Sequence, residues 1–242
     1  MTEFAYTPTL GQVIKLSGKI EGYKCTRSSA SFVLSDNDQN KMGVIAIAAA
    51  LAGLGGQAIS TASNAGDLEE SADYVKFNFG KITIQGWLWR SPFKEGDHVN
   101  VVAEWRGEYY EAYAISRPAD RIIALYPHCS RSKRRHFMNT VKWWLIFNML
   151  FFVPLSMFVF YLGGLDLLFH PTFFWMIFFT ALFFIIMFVS LSKKYMSFVH
   201  LAERVFDVLG IPDQKNVDLV KSSKRQRTAE DSWELGTFYF KY

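Results

Sequence analysis

This chain is poor in the residues from which enzymes and metal sites are usually built. Among 242 residues there are two cysteines and five histidines. Cys25 and Cys129 lie far apart without a CxxC spacing, which argues against a disulfide framework and against a zinc knuckle. His98, His128, His136, His170 and His200 are scattered, and "HCSRSKRRH", which gathers His128, Cys129 and His136, has no standard zinc spacing. There is no GxSxG, Walker loop, HExxH or dinucleotide fingerprint. We therefore expect no enzyme, no catalytic residue, no cofactor and no metal. Charge is sparse too, at 20% of residues and a net +4. Its basic residues are not interleaved with exposed aromatics as a single-strand groove requires, so nucleic acid is not an expected partner. The start, "MTEFAYTPTLGQVIKLSG", lacks the basic and then apolar pattern of a cleavable signal, which predicts that residues ahead of the first apolar run stay in the cytoplasm.

What is abundant is apolar and aromatic: 23 Phe and seven Trp. Nearly all of the excess lies between Trp143 and Leu191, which is membrane-protein composition. The uncharged run "WWLIFNMLFFVPLSMFVFYLGGL" (143–165) is long enough, at about 1.5 Å per residue, to cross about 30 Å of hydrocarbon. A second run, "FFWMIFFTALFFIIMFVSL" (173–191), is long enough as well. Pro154 inside the first is tolerated in such a helix and predicts a kink. The short link "GGLDLLFHPT" makes the pair a transmembrane hairpin over 141–192. Asp166 and His170 lie in that link, where water reaches them, so we expect no proton or ion role for them.

Arg131, Lys133, Arg134, Arg135 and Lys142 precede the first span, Lys193 and Lys194 follow the second, and the link carries no basic residue. The positive-inside bias places both termini in the cytoplasm of a multi-pass inner-membrane protein. Trp143, Trp144 and Trp175 stand at the span ends as interfacial anchors.

Residues 1–130 read as short alternating segments with Gly-containing turns, such as "DHVNVVAEWRG" and "YYEAYAISRP". They predict a small antiparallel β-barrel-like cytoplasmic domain, like an oligonucleotide-binding fold in shape alone. Within it lies the Ala/Gly-rich segment 42–60, which predicts a helical insertion. A lone opening hairpin is too weak to stand on the far side of a membrane, and the flanks lack basic bias, so a permanent span is disfavoured. On a helix Ala48, Ala52 and Gly56, with Ala49 and Gly53, form a small-xxx-small face. That face either packs on the domain or at the membrane surface, or inserts and self-associates like a glycine zipper.

Residues 193–242 form a cytoplasmic amphipathic helix and tail. Tyr195, Phe198, Val199, Ala202, Val205, Phe206 and Leu209 make the apolar stripe, and Gly210 and Pro212 stop the helix. Lys224, Arg225 and Arg227 form a basic cluster suited to anionic head groups. The fold class is thus an α+β membrane protein whose partners are the lipid bilayer and, in a homo-oligomer, a second copy.

"KMGVIAIAAALAGLGGQAIS", "GWLWRSPFKEGDHVNVVAEW", "ISRPADRIIALYPHCSRS" and "AERVFDVLGIPDQKNVDLVKSSK" together resemble a group of bacterial proteins described as type VI secretion system effectors. The resemblance spans most of the chain and implies a role in interbacterial competition, with no catalytic residues to carry over. It implies a membrane-acting effector, in which the Ala/Gly segment and hairpin permeabilise a target membrane. An immunity or accessory protein that binds a cognate toxin or the secretion apparatus is the alternative. A housekeeping membrane-anchored β-domain is a third.

Overall fold

The computed structural model describes residues 12–30, 32 and 70–242. The segment 42–60, with Ala48, Ala52, Gly53 and Gly56, lies outside the described residues. The chain divides into two compact units. One combines Met1–Lys133 with Ser197–Tyr242, and the other is Arg134–Met196. Ser197–Tyr242 thus belongs to the same unit as the strands.

The β-rich unit is a mixed sheet of eight strands among the described residues: β1 Val13–Lys19, β2 Glu21–Ala30, β3 Glu70–Phe79, β4 Ile82–Leu88, β5 His98–Trp105, β6 Tyr110–Arg117, β7 Ile122–Leu125 and β8 Tyr239–Lys241. The order is β1-β5-β6-β4-β3-β2, with β7 between β6 and β8. Two expectations need correction. The sheet is not closed, because among the described residues no ladder joins β1 to β2. It is not wholly antiparallel either, because β4 pairs with β6 in parallel at Ile84↔Tyr110 and Gln85↔Glu111. β1 and β2 stand at opposite ends of the order, yet only the buried Ile20 separates them in the chain.

Period-two patterning explains the strands. Val75 and Phe77 of β3, Ile84 and Leu88 of β4, and Val99, Val101 and Ala103 of β5 share one core with Ile20, Ile115 and Leu235. Gly86 marks the approach of β4 to β6, since a Cβ there would lie 2.4 Å from the Ala112 carbonyl oxygen. β6 is buried along Tyr110–Ser116.

Four helices follow β7 in the described chain. α1 (Lys133–Leu168) and α2 (Pro171–Lys194) form the second unit. α3 (Met196–Leu209) buries Phe198, Val199, Ala202, Val205 and Phe206 of the stripe read from its periodicity, together with Leu201, while Tyr195 and Leu209 are half-buried. It ends where Gly210 takes φ 72°. α4 (Leu219–Gln226) starts at an Asp218 cap whose carboxylate accepts from the Lys221 N–H at 3.0 Å. Ser223 fixes α4 to β8: its hydroxyl donates to the Leu219 carbonyl at 2.7 Å and accepts from the Lys241 N–H at 2.8 Å.

Candidate functional site

The largest chemical anomaly is the helical hairpin. α1 and α2 are both long and apolar enough to cross a membrane. They extend past the uncharged runs 143–165 and 173–191, so the link shrinks to Phe169 and His170. Leu150 is 72% and Tyr161 85% exposed in the chain alone, and the exposed apolar side chains continue along both helices. A helix in water hides such a surface. Three polar side chains within the helices are satisfied by the helix backbone: Asn148 donates to the Trp144 carbonyl at 2.7 Å, Thr180 to Met176 at 2.8 Å and Thr140 to His136 at 3.1 Å, whereas the buried Trp144 indole N–H makes no hydrogen bond among the described residues. Such bonding back to the helix is what a segment without water requires. Edge-to-face contacts of Phe184 with Phe147 at 4.9 Å and Phe151 at 5.3 Å join the two helices. At the open end His136 Nε2 and Ser192 Oγ lie 2.9 Å apart. Pro154 sits inside α1, and the non-helical residue is Gly164, at φ 63° and ψ −153°.

The residues expected at the hairpin ends are distributed as follows. Arg134, Arg135 and Lys142 lie on the first part of α1, and Lys193 and Lys194 in the last turn of α2, beside the His136 and Ser192 pair. Trp143 and Trp175 are exposed and Trp144 is half-buried. Asp166 is exposed near the closed end, while His170 has a structural role, its Nδ1 accepting from the Thr172 N–H as the cap of α2. Arg131 is not part of the hairpin; it lies in the β-rich unit, 3.4 Å from Asp218. Lys133 lies in that unit too, its backbone N–H donating to Glu203 at 3.0 Å.

The β-rich unit carries a cleft of about 770 Å³ beside β1. Ile14, Leu16, Phe79, Ile82 and Tyr110 give it an apolar lining, to which Lys15, Lys19 and Glu21 add charge. This composition suits an apolar ligand or chain segment.

Sequence reading missed a buried ionic cluster on β5 and β6. Glu104 and Glu111 are register partners whose side chains are almost inaccessible. Arg106 bridges them, 2.9 Å from Glu104 and 2.7 Å from Glu111, and donates to the Tyr113 hydroxyl at 2.8 Å. That hydroxyl donates to Glu104 at 2.8 Å. Burial raises the Glu111 carboxyl above its usual range, and Arg106 opposes the rise. The charges of the cluster are paired with one another, although Glu104 Oε1 makes no hydrogen bond among the described residues, and the pairing ties β5 to β6.

A second knot forms around the buried Asp73, which accepts from Arg27 at 2.9 Å and from the Ser91 N–H at 2.9 Å. Cys25 is exposed and Cys129 buried, and desolvation raises both thiols, the opposite of an activated nucleophile. His128, at φ 66°, lies 3.0 Å from Glu70 and packs against Trp89 and Phe198; burial lowers its pKa. Among the described residues no group of three or more His, Cys, Asp or Glu could hold a metal ion. The comparisons with protein-family models, curated proteins and solved structures find no match for this chain.

Proposed function

We propose that the chain is a non-enzymatic bacterial inner-membrane protein in which the hairpin anchors the β-rich unit on the cytoplasmic side, where its cleft binds a protein partner. The carrying observation is the hairpin itself: two helices apolar on their outer surfaces, with Asn148, Thr140 and Thr180 bonded back to the helix backbone, basic residues at the open end and none at the closed end. An apolar outer surface suits a resident anchor better than the wall of an aqueous pore. On this reading the protein serves type VI secretion and interbacterial antagonism as an immunity or accessory component that meets a cognate toxin. We further propose that the open sheet, with β1 and β2 running on through Ile20, is a partly open Greek-key barrel of the oligonucleotide-binding type.

The membrane-acting effector is the second reading, favoured by the resemblance and by the Ala/Gly-rich segment 42–60. Expression in a susceptible bacterium, alone and with the product of each neighbouring gene, separates the two. An immunity protein is harmless and rescues cells from an adjacent toxin. An effector kills and depolarises. Reporter fusions at Tyr242 and near Asp166 test the topology, which a periplasmic Tyr242 would end.

A further inference from the structure

We infer that the β-rich unit carries its own docking surface for an anionic lipid bilayer, formed by the outer face of α4 and the exposed Trp233. This rests on the reading of the hairpin as a membrane anchor. α4 has a fixed orientation: Leu219 and Ser223 are buried, and the two Ser223 hydrogen bonds hold the helix to β8. At 100° per residue Lys221, Lys224 and Arg225 fall on the opposite face. All three are exposed, as is Arg227 just beyond the helix, and none forms a side-chain ion pair among the described residues.

Neighbouring carboxylates do not cancel this charge. Asp218 is held by Arg131, Asp231 by Lys241 at 2.9 Å and Glu234 by Arg90 at 3.0 Å, which leaves Glu230 as the exposed acid nearby. The surface is therefore cationic by construction.

Trp233 supplies the second observation. It is 67% exposed, although its ring is braced edge-on against Phe238 at 5.8 Å, and Phe238 packs on Trp89 at 5.7 Å. The loop that carries it backs onto α4 at Gly236, where φ is 85° and an added Cβ would lie 3.3 Å from the Ser223 Cβ. An exposed, braced indole and a basic helix face in the same unit have the chemistry of an interfacial anchor and of head-group ligands. A nucleic acid would also meet the charge, but single-strand binding uses aromatic side chains on which successive bases stack, and one exposed indole suits the bilayer better. On the anchor reading the β-rich unit is tethered to a bilayer, so a weak contact suffices. At roughly one charge's worth of attraction per basic residue, four residues change occupancy by on the order of a thousandfold at low salt.

The test uses the full-length chain in nanodiscs of phosphatidylcholine, with or without phosphatidylglycerol. An environment-sensitive fluorophore is placed at Ser232→Cys in a Cys25→Ser background, which leaves Trp233 in place. We expect a blue shift and quenching by spin-labelled lipid in the anionic discs. Both should be absent in phosphatidylcholine and reversed by K224E/R225E/R227E, while Trp233→Ala weakens the quenching without changing its salt dependence. Equal exposure of the probe to aqueous iodide in both disc types, or indifference to the charge reversal, would overturn the inference. So would lipid-independent binding of a short oligonucleotide through the same three residues. A protein that does not co-migrate with the discs would refute the anchor instead, and the same probe with added anionic vesicles would still report the lipid contact.

Discussion

Replacing Arg106 with leucine should separate stability from every proposed contact with lipid or partner. The guanidinium lies 2.9 Å from Glu104 and 2.7 Å from Glu111, and the carboxylates are register partners, each almost inaccessible. Arg106→Leu leaves two buried carboxylates sharing one Tyr113 hydroxyl. Removing one partner of a buried ionic group costs about 3–5 kcal/mol, a large part of the 5–15 kcal/mol that a domain possesses. For a unit of this size that corresponds to a fall in Tm of about 6–20 °C. The pH dependence adds a second signature. Burial already raises the Glu111 carboxyl, and Arg106 is what lowers it. A raised folded pKa gives stability that is present below the unfolded carboxyl pKa of about 4.3 and lost as pH rises through the folded value. Without Arg106 that loss deepens, so the deficit should grow between about pH 5 and pH 8 and shrink in acid. Thermal unfolding of the full chain in detergent, followed by near-UV circular dichroism, measures it, and Glu111→Gln in the Arg106→Leu background should recover part of the loss. A deficit below about 1 kcal/mol, or one that does not change with pH, would refute the assignment of a charge-balancing role.

Three further outcomes are expected. Gly86→Ala should destabilise the β-rich unit by about 1–3 kcal/mol, because the new Cβ meets the Ala112 carbonyl oxygen at 2.4 Å; urea titration of the full chain checks it. The Asp231 carboxyl is lowered to about 2, chiefly by the Thr228 N–H and then by Lys241. Its contribution is therefore present above the ordinary carboxyl pKa and lost as pH falls through about 2, and a carboxyl-carbon NMR titration in which Asp231 titrates like a free aspartate would refute it. On the effector reading, Gly56→Ile should abolish permeabilisation of dye-loaded vesicles while membrane insertion persists, since bulk blocks close helix approach without reducing hydrophobicity. Undiminished leakage would remove that face from the mechanism.

The features legible in the sequence are those set by local periodicity. The uncharged runs became α1 and α2, and the stripe of Phe198, Val205 and Phe206 became the buried face of α3. The helix starting at Lys133 was hidden because "KRRHFMNT" is polar, yet helix propensity carries the backbone past the apolar boundary. Glu104 and Glu111 read as solvent-facing positions of alternating strands. Their burial depends on Arg106 and on a register shift between Val102 and Ala103, neither of which has a local signature. The parallel contact of β4 with β6 is non-local as well. So is the pairing of Tyr239 with Ala124, which draws the tail into the sheet. The cleft comes from the tertiary assembly of β1 with the β3–β4 turn and β6, and from no motif.

The β-rich unit is interrupted in the chain by the hairpin, with Met1–Lys133 before it and Ser197–Tyr242 after it. The order of synthesis therefore constrains biogenesis. When the ribosome has made β7, the strand that covers its outer edge and the helix that buries Phe198 and Phe206 still lie beyond both apolar helices in the message. An uncovered strand edge invites wrong pairing, and the nascent sheet stays incomplete until both apolar helices have been made. On the reading of the hairpin as an anchor, targeting and folding are one sequential event, and a slow insertion step would show up as aggregation of the β-rich unit.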